Sequence, residues 1–211
     1  MELTSIREGL QPFLTAPLAE SQLKYISMYI DILLRWNARV NLSSVRQPDQ
    51  ILARHFGESL FAAQHLFQAG ANDHLIDVGS GAGFPGLPIK ICDPELRVTL
   101  IESSQKKATF LREIIRGLTL TDVDVFCGRA QAYEGDRAAI VTLRAVERFD
   151  EVLPVAANLV ASGGRLALLI GQAQCARVPR LMPDFSWAAP LPIPLSASRV
   201  LLVGTRGREP K

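Results

Sequence analysis

The chain has 211 residues, 48% of them hydrophobic and 21% charged, which suits one domain or a domain with a modest appendage and excludes disorder, collagen and coiled coil. With 23 Lys+Arg against 21 Asp+Glu the formal charge is +2, so a nonspecific nucleic-acid coat is excluded and any polyanion site must be local.

Between Ser21 and Asn37 the apolar residues Leu23, Ile26, Ile30, Leu33 and Leu34 recur at spacings of three and four, with Lys24, Asp31 and Arg35 between them, which predicts an amphipathic helix. A second helical stretch is expected from Pro48, bringing Ile51, Leu52, His55, Phe56 and Leu60 onto one side. No strand period precedes residue 74, and the polar stretch Gln68 to Asp73 breaks both periods, so residues 1–70 are expected to form a helical N-terminal subdomain. From 71 to 211 short apolar runs alternate with helical ones. Leu75 to Val78, Val98 to Ile101, Val123 to Phe126, Ile140 to Leu143 and Leu166 to Ile170 read as buried strands. Helices are expected at Pro85 to Cys92, Ser104 to Arg116 and Asp150 to Val160, with Ser104 and Asp150 as N-caps. That alternation predicts a doubly wound α/β domain with a mostly parallel sheet. After Gly171 come Pro-rich stretches and then Val200 to Val203, with no helix expected between the last two strands, so an antiparallel hairpin is expected to close the sheet.

The strongest local signal is LIDVGSGAGFPG from Leu75 to Gly86, a buried strand leading through Gly79, Gly81, Gly83 and Gly86 into a helix. Glycines at such a junction allow positive φ and close backbone approach to a ligand, and a following helix offers its amides and dipole to one. Open α/β sheets bind ligands outside the carboxyl ends of their strands, where this loop must lie. Gly81 to Gly86 also satisfies a literal GxGxxG, so nicotinamide dinucleotides compete as ligands. Asp77 separates the two readings, because a carboxylate at the strand end can receive an ammonium group, which S-adenosylmethionine (SAM) has and NAD lacks. Glu102, ending the next strand, suits ribose hydroxyls in either case.

These residues belong to a longer set. Leu34-Arg35-Trp36-Asn37 with Asn41-Leu42, Arg54-His55 with Glu58-Ser59, DVGSGAGFPG at 77 to 86, and Glu102-Ser103 with Lys106-Lys107 and Phe110-Leu111 together resemble the RsmG (GidB) family of bacterial 16S ribosomal RNA guanine-N7 methyltransferases. Gly128-Arg129-Ala130-Gln131 and Leu143-Arg144-Ala145 resemble two later motifs of that family. The resemblance implies a Rossmann-like class I SAM-dependent methyltransferase fold, SAM as cofactor and small-subunit rRNA or the 30S subunit as partner. It implies cofactor contacts at Gly79, Phe84, Ala130, Gln131 and Arg144, which join Asp77, Gly81, Gly83 and Glu102 as candidates. The chain departs from the family pattern in having Gln131 in place of Glu, Leu143 in place of Ser, and Ile170-Gly171 in place of Lys-Gly.

Methyl transfer to guanine N7 attacks with a lone pair that carries no proton, so no general base is required and the lack of a His-Asp or Ser-His dyad is no obstacle. Arg144 is expected to orient cofactor or RNA. Arg54, His55, Lys106, Lys107 and Arg165 are RNA-binding candidates, with Arg35, Arg39, Arg46, Arg112, Arg199, Arg206 and Arg208 as further cations whose weight is collective. Trp36 is expected in the core. Cys92, Cys127 and Cys175 form no CxxC pair, so neither disulfides nor a metal site is expected. No apolar run reaches the roughly 18 residues of a membrane span, and MELTSIREGL does not form a signal peptide, so a cytoplasmic monomer without membrane or DNA partners is expected. A small-molecule methyltransferase of the same fold and a noncatalytic SAM-binding module are the alternative readings.

Overall fold

The computed structural model describes residues 1–40, 42, 45–67 and 74–208, so the polar stretch at 68–73 and Asn41 of the family signature lie outside the described residues. Its first layer is helical. Leu3–Leu10 (α1) and Glu20–Asn37 (α2) are followed by Pro48–Ile51 (α3), a π-helical segment Leu52–Gly57, and Glu58–Leu66 (α4). The spacing of Leu23, Ile26, Ile30 and Leu33 puts all four on the buried face of α2, and the Gln22 side chain accepts from the Ala19 amide at its start. Helix α1 was not expected, because Arg7 and Glu8 interrupt a segment that buries only Ile6 and Leu10.

The sheet begins with His74–Val78 (β1), then alternates with helices through Gly86–Cys92 (α5), Arg97–Glu102 (β2), Gln105–Gly117 (α6), Val123–Cys127 (β3), Ala138–Arg144 (β4), Phe149–Asn158 (α7) and Val160–Gly171 (β5). Ser104 caps α6 as expected, its hydroxyl accepting from the Lys107 amide. Asp150 does not cap α7. Arg148 holds that place in a left-handed conformation, and Asp150 sits in the first turn, where a carboxylate still suits the helix dipole. Two four-residue helices, Gln172–Cys175 (α8) and Val178–Leu181 (α9), stand where no helix was expected, being too short to show a period. Phe185–Trp187 (β6), Leu191–Pro192 (β7) and Arg199–Arg206 (β8) complete the chain's elements.

The strands form one sheet in the order β3-β2-β1-β4-β5-β8-β6, with β7 also on β8. Strands β1 to β5 are mutually parallel, and β8 runs antiparallel to β5, β6 and β7, which is the expected closing arrangement. The chain turns outward in both directions from the β1–β4 pair, and that topological switch point is where ligands of open α/β sheets bind. Alternate residues of each strand feed opposite faces. Leu75, Leu100 and Ile140 join the helical layer in one apolar cluster with Ile6, Leu10, Tyr29 and Phe56, while Ile76, Ile101 and Val141 join α7 through Leu153 and Ala156 in a second. The helical layer and one face of the sheet thus share a single core.

Candidate functional site

The loop after β1 is built from bonds to itself and to its neighbours. Gly79, Gly81 and Gly83 all have positive φ, at 71°, 58° and 87°, which only glycine adopts without strain. The amides of Gly79 and Ser80 donate to the Ile101 carbonyl, those of Gly83 and Phe84 to the Ser80 carbonyl, and that of Gly81 to Glu102 Oε2 at 2.9 Å. The sequence suggested a helix start offering its amides to a ligand. Instead, α5 has seven residues and its first amide, Gly86, donates to Asp77 Oδ2 at 3.2 Å. What the loop offers is shape: a Cβ added to Gly81 would meet only the Gly79 carbonyl, at 3.8 Å, so this side of the loop is open.

Asp77 lies entirely out of solvent, with Oδ1 accepting from the Thr142 hydroxyl at 2.8 Å and Oδ2 from Gly86. Burial raises its pKa to about 6, against the opposing pull of those bonds, of the Ser80 hydroxyl and of Arg144. Its carboxylate therefore ties β1, β4 and α5 together beneath the loop, whereas the sequence reading set it against an ammonium group. Glu102 bridges two segments, accepting from Gly81 with one oxygen and from the Ser104 amide at 2.7 Å with the other. It fixes the glycine loop relative to the start of α6. Lys106 and Lys107 lie in the first turn of that helix, on the same rim.

Phe84 packs against three rings from the helical layer. Tyr29 stacks with it at 5.4 Å and His55 at 4.7 Å, while Phe56 meets it edge-on at 5.1 Å. Tyr29 also donates its hydroxyl to the Ala82 carbonyl at 2.6 Å. The π-helical turn, which carries an extra residue relative to an α turn, buries His55 and Phe56 together against the loop, and Gly57 admits the Phe13 ring where a Cβ would approach to 2.6 Å.

At the end of β4, Arg144 reaches back into this layer. Its guanidinium donates to the Arg54 carbonyl at 2.8 Å, to His55 Nδ1 at 3.0 Å and to Glu58 Oε2 at 3.2 Å. Arg199, at the start of β8, brings a second guanidinium to within 2.9 Å of the same oxygen. A buried carboxylate thus joins two cations from different strands. Desolvation lowers the pKa of Arg144 against the pull of Glu58, and desolvation with the neighbouring arginines drives that of His55 down to about 3, so its ring is neutral near pH 7. The residue after Arg144, Ala145, has a φ of 49°, a strained conformation at the rim.

The structure thus gathers Asp77, Gly79, Gly81, Gly83, Phe84, Glu102, His55 and Arg144 around one loop. Ala130 and Gln131 lie on a 3-10 turn after β3, with Gln131 exposed. Arg54 contributes its carbonyl to the site, its side chain being exposed. Arg165 is not brought to the rim: it pairs with Ile140 near the start of β4, three residues before Leu168, or roughly 10 Å down the strand. Arg112 turns to β3, donating to the Val125 carbonyl. Trp36 packs against Phe110, as expected for a core residue. Leu143 and Ile170, the two departures from the family pattern on the strands, are buried in the apolar cluster beneath α7. Tyr29 was missed by the sequence reading, which saw an apolar helix stripe and had no signal for a hydroxyl partner 53 residues away. Glu58 was visible only as part of a motif. Among the described residues no cluster of His, Cys, Asp and Glu could hold a metal ion, and no helix is long and apolar enough to cross a membrane.

Comparison with solved structures supports the architecture. The chain superimposes on a ribosomal protein L11 methylase from Lactobacillus delbrueckii subsp. bulgaricus with a TM-score of 0.61 at 11% identity, covering 74% of this chain and 79% of that one. It superimposes on M. jannaschii TYW2, solved in complex with AdoMet, with a TM-score of 0.57 at 14% identity, covering 72% and 77%. The fold is that of class I SAM-dependent methyltransferases. Among curated proteins, a Ribosomal RNA small subunit methyltransferase G from Chloroflexus aggregans is 43% identical over 155 residues, 71% of this chain and 64% of that protein. One of the same name from Chromobacterium violaceum is 33% identical over 172 residues, 81% and 80% of the two chains. The chain thus spans less than two thirds of the first relative and four fifths of the second. Since the model of the GidB family, rRNA small subunit methyltransferase G, matches residues 22–182, a span that takes in nearly all of α2, helices α3 and α4, the glycine loop and Arg144 alike, the chain belongs to the GidB family.

Proposed function

We propose that this protein transfers the methyl group of SAM to N7 of a guanine in small-subunit ribosomal RNA. The observation that carries the reading is the family match, which runs unbroken through both the glycine loop and the helices that grip it. The residues suit the cofactor. The open side of Gly81 leaves space against the backbone, and Glu102 stands at the end of β2, where a carboxylate suits ribose hydroxyls. Gly79, Gly81, Gly83 and Glu102 would hold SAM, with the turn at Ala130 and Gln131 beside them, and SAM would supply an activated methyl group on a sulfonium.

The chain's own contribution is positioning and charge control. Guanine N7 carries no proton, so no side chain has to remove one; the protein must hold N7 within about 3 to 3.5 Å of the methyl carbon, in line with the departing sulfur. Transfer leaves the purine cationic, and an unpaired cation beside it would oppose the reaction. Glu58 pairs with both Arg144 and Arg199, and His55 is neutral, so neither guanidinium is left unpaired beside the purine, although the one carboxylate offsets only one of the two positive charges. Lys106 and Lys107 lie on the rim to meet phosphates of the surrounding RNA, in the manner of point charges.

The test is incubation with methyl-labelled SAM and small ribosomal subunits from cells lacking the activity, followed by digestion and mass spectrometry. N7-methylguanosine at one site is expected. Absence of label from both subunits and free rRNA, with SAM binding demonstrated, would overturn the RNA assignment.

A further inference from the structure

We propose that Tyr29, in the middle of α2, is a positioning residue for the cofactor: its hydroxyl sets the conformation of the glycine loop, so that the helical layer takes part in binding SAM without touching it. This rests on the proposed function above and extends it to a residue outside the sheet domain.

Tyr29 has no solvent exposure, and its hydroxyl donates to the Ala82 carbonyl at 2.6 Å. Ala82 stands between Gly81 and Gly83, so this bond fixes the orientation of the peptide unit joining Ala82 to Gly83. The other end of the same peptide, the Gly83 amide, is fixed by the Ser80 carbonyl at 2.7 Å. One peptide of the loop is thus clamped at both ends, from outside the motif at its carbonyl and from inside at its amide. Burial, with the Asp77 carboxylate nearby, raises the Tyr29 pKa well above its ordinary value, so the hydroxyl stays a donor.

The ring reinforces the hydroxyl. It lies 14° from parallel to Phe84 and meets Phe56 edge-on at 5.2 Å, so the donor cannot swing away without breaking a packed aromatic group. The fit is close on the loop side as well, since a Cβ added to Gly83 would come within 2.3 Å of the Tyr29 hydroxyl oxygen. Loop and tyrosine therefore specify each other. Removing the hydroxyl leaves a buried carbonyl without this donor and the peptide held at its amide end alone, which loosens its orientation and costs binding wherever the ligand requires the clamped form.

The experiment compares the wild-type full chain with Tyr29→Phe and, as a control on α2 packing, Ile30→Val. SAM affinity is measured by calorimetry, kcat and KM by methyl transfer to small subunits, and folding by thermal melting. Tyr29→Phe is expected to weaken SAM binding by about 5- to 10-fold, the equivalent of one net hydrogen bond, and to raise KM for SAM by a similar factor with kcat at saturating SAM largely kept. Ile30→Val is expected to lower the melting temperature while leaving SAM affinity within about twofold. Equal SAM affinity in Tyr29→Phe and wild type would overturn the inference alone, as would a matching loss in Ile30→Val. Failure of the wild type to bind SAM would overturn the proposed cofactor and the inference together. If Tyr29→Phe does not fold, amide exchange on the wild type gives the answer: SAM should slow exchange in the middle of α2 more than in α7, and equal slowing in the two helices would overturn the proposal.

Discussion

The two halves of the candidate site are assembled by opposite means. The glycine loop is held mainly by short-range bonds, from backbone amides to groups in β1, β2 and the loop itself, with Asp77 and Glu102 as side-chain acceptors and Tyr29 donating to it from α2. The arginine rim is held by side chains from remote parts of the chain, Glu58 lying 86 residues from Arg144 and meeting Arg199 from β8, two strands across the sheet from β4. A local device tolerates the loss of one bond among several. A remote cluster of buried charge does not, because its one carboxylate, Glu58, compensates both guanidinium groups at once.

The sharpest test of that contrast is Glu58→Ala, which strands two guanidinium groups in a poorly solvated place. A loss of about 3 to 5 kcal/mol in unfolding free energy is expected in urea titration. Gly83→Ala tests the loop, adding a Cβ at a φ of 87° and against the Tyr29 hydroxyl. A loss of roughly 1 to 3 kcal/mol in stability is expected, with SAM binding weakened further, and Tyr29→Phe in the same chain should recover part of the loss by removing the nearest clash.

The two halves also answer acid differently. His55 has a folded pKa of about 3 against an ordinary 6.5, so it contributes stability above pH 6.5 that is lost as pH falls towards 3. Asp77 has a folded pKa of about 6 against an ordinary 3.8, so its contribution is present below 3.8 and lost as pH rises through 6. Between pH 4 and 6 the two oppose each other. In His55→Asn only the Asp77 contribution remains, and stability measured by denaturant titration should then rise, relative to wild type, as pH is lowered from 6 to 4. The smallest expected effect is that of Ser104→Ala, which removes the α6 cap from outside both halves and should cost about 1 kcal/mol without changing SAM affinity at the loop.

The same contrast governs what could be read from the sequence. Strands β1 to β5 and helix α2 announced themselves because their apolar periods are local, and the loop did so because glycine at a strand end has few other uses. The cap of α7 was misplaced because Arg148 adopts a left-handed conformation that its side chain does not advertise, leaving Asp150 as the more conventional choice. The π-helical turn keeps a helical pattern while shifting its phase, so the meeting of His55 with Phe84 could not be anticipated from spacing. Arg144 was legible as a candidate position, but its partners were not, since no periodicity connects it with Glu58 or Arg199. The amides at the start of α5 were expected to face a ligand, and the first of them, Gly86, is instead engaged by Asp77, because a motif reveals where glycines are and not where their hydrogen bonds go.

The core shared by the helical layer and the sheet bears on how the protein comes into being. During synthesis the helices leave the ribosome before the sheet, carrying an apolar side whose cover includes Leu75, Leu100, Ile140 and Leu201, and a carboxylate, Glu58, whose second cation is Arg199. Neither is fully satisfied until β8 has been made. The nascent chain therefore travels most of its length with that face exposed to whatever it meets, and a chaperone at the tunnel exit has a sticky helical surface to shield until nearly the last strand emerges.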